Sequence, residues 1–105
     1  MFIDPENSLA VEILKEAADV YFAGCRKMVE SLEALRSFES AVPSSLQHGE
    51  QVERRSQLLD DAAERVHYVL IQRDAMRLSW SETFLDDYEV PAEVRARVGK
   101  RPESK

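Results

Sequence analysis

The chain has 105 residues, of which 44% are hydrophobic and 32% charged, and its net charge is −6. That length holds one domain, and that apolar fraction excludes a chain too polar to fold. An acidic chain is repelled by polyanions unless its bases cluster, so nucleic acid is a poor default partner.

Cys25 is the single cysteine, which excludes an internal disulfide and a cysteine-rich metal site. The opening Met-Phe-Ile-Asp-Pro-Glu lacks the basic and apolar regions of a secretory signal. No apolar run approaches the roughly 20 residues of a membrane span. The expected location is the cytoplasm, with no membrane partner. All four prolines fall at segment boundaries.

After a lead-in over 1–7, a helix is predicted over 8–39, with Asn7 or Ser8 as its cap. Its residues Val11, Leu14, Ala18, Tyr21, Cys25, Met28, Leu32 and Leu35 alternate in steps of three and four. That is the a/d seam of a helix packed lengthwise on another. Small residues recur beside it at g (Ala10, Ala17, Gly24, Ser31). Apolar residues flank it at e (Phe22, Val29) and c (Ile13, Val20). One partner helix cannot cover so wide a face, so a second is expected, most simply from another copy of the chain. The candidate interface residues are Ile13, Ala17, Val20, Phe22, Gly24 and Val29.

Ser40, Pro43, Ser44, Ser45 and Gly49 mark a loop over 40–50. A second helix is predicted over 51–78, antiparallel to the first. Its stretch from Val66 to Ile71 is apolar in almost every direction, which predicts burial on several sides. Ser79 followed by Glu82 fits a capping box opening a third helix over 81–88, with Trp80 just inside it. Pro91 opens a fourth over 91–98, with Val94 and Val98 facing inward and Gly99 as the stop. The tail 99–105 is expected to fray.

Four segments resemble a small family of uncharacterised all-helical bacterial proteins of about 100 residues. They are Leu-Ala-Val-Glu-Ile-Leu at 9–14, Leu-Leu-Asp-Asp-Ala-Ala-Glu-Arg-Val at 58–66, and the ending from Asp87 through Val90-Pro91 to Gly99, with Ile71-Gln72-Arg73-Asp74 between. The resemblance implies an all-helical fold and brings no activity, cofactor or catalytic residue.

The chemical constellations are weak. Glu64 and His67, three apart on a helix, could ligate a metal in a carboxylate-rich bundle if a two-fold homodimer supplied a second such pair and Glu16 or Glu30 joined them. Glu64 is more simply exposed and His67 at the edge of a core. Residues 79–101 have the length of a helix-turn-helix, and Arg95, Arg97, Lys100 and Arg101 could meet phosphates. Five acids share that segment, and Glu89 stands where the turn glycine belongs. Cys25, on the seam, reads as a buried small hydrophobe. Arg73, among apolar neighbours, calls for a carboxylate such as Asp87.

The resulting expectation is an all-α fold: a long antiparallel helical hairpin with two short C-terminal helices, completed as a bundle by dimerisation. The expected function is non-enzymatic, a protein–protein interaction or adaptor role without cofactor or catalytic residues, its further protein partner unknown. A small DNA-associated regulator and a carboxylate/His metal protein are the alternatives.

Overall fold

The computed structural model describes residues 8–41, 46–78 and 81–99. These form α1 (Ser8–Ser40), α2 (His48–Ala75), α3 (Ser81–Asp87) and α4 (Ala92–Arg97), with no strand among the described residues. The radius of gyration is 17.3 Å and the principal extents are 61 × 27 × 22 Å. A compact chain of this length would have a radius of about 13 Å, so the molecule is a rod. Its length is set by α1, whose 33 residues at ~1.5 Å each span roughly 50 Å.

α1 and α2 pack antiparallel. Gly24 faces Tyr68 and Val69, Ser31 meets Asp61, and Glu39 meets Arg55. The core takes Met28, Leu32 and Leu35 from α1, Leu59, Val66 and Val69 from α2, Phe84 and Leu85 from α3, and Val94 from α4. Two of the small g residues are buried here, Gly24 and Ser31. A Cβ on Gly24 would lie 3.3 Å from the Tyr68 ring, so the missing side chain is what admits α2 so close. Ser31 Oγ lies within donating distance of the Lys27 carbonyl (3.0 Å) and Asp61 Oδ2 (3.1 Å).

Several boundaries differ from the sequence expectation. α2 starts at His48 rather than 51, because the Gln47 backbone N–H donates to Glu50 Oε1 at 3.0 Å and satisfies a group the first turn leaves free. Gly49 therefore lies inside the helix. α2 ends at Ala75 rather than 78. Arg77 turns left-handed (φ 58°), its N–H donates to the Asp74 carbonyl, and the Leu78 N–H reaches back to the Arg73 carbonyl at 2.9 Å. This 6→1 and 5→2 pair closes a helix and stops it. Pro91 is the N-cap of α4 rather than its first residue. The proposed Ser79–Glu82 capping box and Trp80 lie outside the described residues, as do the prolines Pro5, Pro43 and Pro102.

α3 closes in the same way as α2. The Glu89 N–H donates to Asp86 and the Val90 N–H to Leu85, both at 3.0 Å, and buried Val90 and Leu85 flank the turn. Glu89 sits at φ 51°, a left-handed conformation that costs a residue with a Cβ about 1–2 kcal/mol. Glu89→Gly is expected to stabilise the fold by roughly 0.5–1 kcal/mol, part of the gain being offset by glycine's greater freedom when unfolded. Thermal melts check this, and a lowered midpoint would refute it. Gly99, at φ 79°, ends α4 where the sequence placed its stop.

The C-terminal helices are clasped by arginines. Arg36 Nη2 donates to the carbonyls of Tyr88 (3.3 Å) and Glu89 (3.0 Å). Arg55 lies between Glu39 Oε2 at 2.7 Å and Glu93 Oε2 at 2.9 Å, joining α1, α2 and α4. The Arg55 guanidinium holds the Glu93 carboxyl below its ordinary range. The folded-state pKa is lowered, so the clasp contributes above the ordinary glutamate range and is lost as pH falls through the folded value.

The heptad seam is covered over only part of its length. Tyr21, Cys25, Met28, Leu32 and Leu35 are buried, Ala18 partly so, whereas Val11 and Leu14 stay exposed. Arg73, near the end of α2, pairs with Tyr21, so α1 continues for several turns past its neighbour. Within the chain α1 packs chiefly on α2, and Arg36 adds a clasp onto the turn that follows α3.

Candidate interaction surface

The α1–α2 hairpin has two sides, and α3 and α4 cover one of them. The other is a continuous open groove. Its lower part, about 580 Å³, is lined by Ile13, Glu16, Ala17 and Val20 of α1 and by Ile71, Gln72, Ala75 and Met76 of α2. Its upper part, about 440 Å³, shares Val20 and Ile71 and adds Ala23, Gly24, Lys27, Glu64, Arg65, His67 and Tyr68. The exposed apolar side chains concentrate here: Ile13 is 58% exposed and Ile71 55%. Leu9, one turn before Ile13, prolongs the stripe.

The six interface candidates divide between two faces. Ile13, Ala17, Val20 and Gly24 line the open groove, although Gly24 is itself buried beneath Tyr68 of the same chain. Phe22 and Val29 line a separate recess of about 530 Å³ with Cys25, Arg26, Glu30 and Tyr88. Gly24 also packs against the chain's own α2. The α2 wall of the groove was only partly foreseen. The run Val66–Ile71, expected to be buried on several sides, is buried within the chain only at Val66 and Val69, whereas Tyr68 and Ile71 are exposed.

The other candidates are placed as follows. Glu64 and His67 are both exposed on the rim of the upper groove. Glu16 lies in the lower groove and Glu30 in the opposite recess, so the four are not brought to one point. No group of three or more His, Cys, Asp or Glu able to hold a metal occurs among the described residues. Cys25 is buried.

Arg95 and Arg97 are engaged within the chain. Arg95 Nε donates to the Val90 carbonyl at 2.8 Å, and its Nη2 lies 2.9 Å from Asp86 Oδ1. Arg97 Nη1 donates to Asp60 Oδ1 at 2.8 Å and to the Ser56 carbonyl at 3.1 Å. A phosphate would have to compete with these carboxylates. Lys100, Arg101 and Lys105 lie outside the described residues.

Arg73 is bound to a phenol and a ring. Its Nη1 donates to the Tyr21 hydroxyl at 2.7 Å, and its guanidinium carbon stands 4.3 Å from the centre of the Phe84 ring. Burial pushes the Tyr21 phenol above its ordinary value near 10, and the Arg73 contact works against that shift. Burial likewise raises Tyr88. The folded-state values are raised, so these groups contribute fully below pH ~10 and lose that contribution as pH rises through the folded values.

No helix among the described residues is long and apolar enough to cross a membrane. No protein-family model, curated protein or solved structure matches the chain. A functional reading therefore rests on the chain's own surface.

Proposed function

We propose that this chain is a non-enzymatic protein–protein interaction or adaptor protein that works as a homodimer. The observation that carries the reading is the open groove, where Ile13, Val20, Ile71 and Met76 are exposed side by side along the hairpin. Contiguous apolar surface of this kind, rimmed by charge, marks interaction sites on folded proteins. Most soluble oligomers are symmetric homodimers, and a groove on a helical hairpin is completed by two more helices into a four-helix arrangement.

Light scattering at micromolar concentration is expected to give about twice the 12.0 kDa chain mass. Ile71→Glu, which sets a charge in the middle of the groove, is expected to weaken association at least thirtyfold, equivalent to about 2 kcal/mol at a central contact. The helical circular dichroism of the variant should be unchanged, because Ile71 lies outside the core. A clean monomer for the unmodified chain overturns the reading.

A further inference from the structure

We infer that the groove receives a second copy of the same chain, α1 against α1 in antiparallel register, about a two-fold axis near Val20 and Ile71. This deepens the homodimer reading and rests on it. Three properties of the groove specify the arrangement.

The first is extent. The exposed portions of Leu9, Ile13, Val20, Tyr68, Ile71 and Met76, with the alanines between them, leave on the order of 600 Å² accessible. A stable interface takes roughly 800 Å² from each partner, so polar rim residues complete what a second copy needs.

The second is charge. The upper end of the groove carries Lys27 and Arg65 with Glu64, a balance of one positive charge. The lower end carries Glu16, and there α2 also terminates, presenting the negative end of its dipole. Two copies stacked in the same direction place like ends together. Reversing one of them places Glu16 within about one helical turn, ~5 Å along the axis, of Lys27 of the partner subunit. Two-fold symmetry forms each contact twice.

The third is shape. Ile13 and Lys27 each stand seven residues from Val20, so reversal exchanges them and lays the lysine's aliphatic stem on the isoleucine. Tyr68 and Ala75 stand three and four residues from Ile71, so the same reversal lays an exposed ring over a small residue.

The test uses two full-length single variants, Glu16→Lys and Lys27→Glu, carrying different affinity tags. Both positions are exposed, and circular dichroism confirms that each variant folds. Each alone should self-associate at least tenfold more weakly than the unmodified chain, because a like-charge contact forms twice. Mixed together, they should recover a heterodimer of near-original affinity, since both contacts then join opposite charges. Retained self-association of either variant, or no recovery on mixing, overturns the antiparallel register while leaving a dimeric unmodified chain as support for the broader reading. A monomeric unmodified chain overturns both.

Discussion

Leu35→Ala is expected to destabilise the folded chain by about 3 kcal/mol, and Leu14→Ala by under about 1 kcal/mol. The two leucines are the same residue type on the same helix, three heptads apart at the same seam position. Leu35 is 1% exposed within the core, so its truncation removes transfer energy and leaves a cavity among side chains that cannot fully close on it. Leu14 is 49% exposed, so truncation there removes less buried surface and opens no cavity. In a domain of this size the Leu35 variant should lose roughly 10–20 °C of melting temperature. Denaturant unfolding at matched concentration checks both. Equal losses at the two sites would mean that the early turns of α1 are as well packed as the later ones.

Arg73→Met is expected to cost about 2–3 kcal/mol, although it keeps most of the side chain's length. Methionine can occupy the space over Phe84 but cannot donate to the Tyr21 hydroxyl. The phenol oxygen then stays buried having lost its charged donor, and that asymmetry makes the loss larger than the net value of one hydrogen bond. Arg73→Lys should recover only part of it, since a point ammonium does not reproduce a planar guanidinium lying over a ring while its edge meets a phenol. A second readout separates this contact from general packing. Arg73 pulls the Tyr21 phenol down against burial, so its removal should move that phenol's titration higher still, followed by phenolate absorbance. The sign for stability follows: with the folded value further above the unfolded one, stability should fall more steeply as pH rises beyond ~10. An unchanged titration in the methionine variant would refute the assignment.

The architecture was largely legible in the residues. The a/d steps of α1, the breaker cluster after it, and the Pro91–Gly99 punctuation led to four helices near their observed positions, two of them long and packed together. Periodicity shows which face of a helix is apolar and is silent on how far its partner extends. Hence Val11 and Leu14 read as equivalent to Leu32 and Leu35, although α2 stops at Ala75 and leaves the first two exposed. The stop itself depends on Arg77 adopting a left-handed conformation, which no glycine announced. Glu89 repeats the case: its place in a turn was seen, but a charged residue there read as a departure from the expected glycine rather than as the helix terminator it is.

The surface was legible in part. Residues at g, e and c of α1 carry too much apolar area for one neighbour, and e and c lie on opposite flanks of the seam, yet the linear pattern could not tell that Gly24 lies under Tyr68. The need of Arg73 for a partner was recognisable from its apolar neighbours. That the partner is a phenol 52 positions away rather than Asp87 was not, because long-range pairs leave no local signature.

α1 outruns its neighbour, and that gives one continuous helix two opening free energies. Propagation adds a bond per residue once a nucleus exists, and the buried stretch from Tyr21 to Leu35 supplies the nucleus. Turns from Ser8 to Ala18 can melt stepwise without disturbing a core side chain. Amide hydrogens from Tyr21 onward exchange only when the hairpin itself separates. Anything that settles along the early turns is expected to slow amide exchange there while the core amides keep their rates.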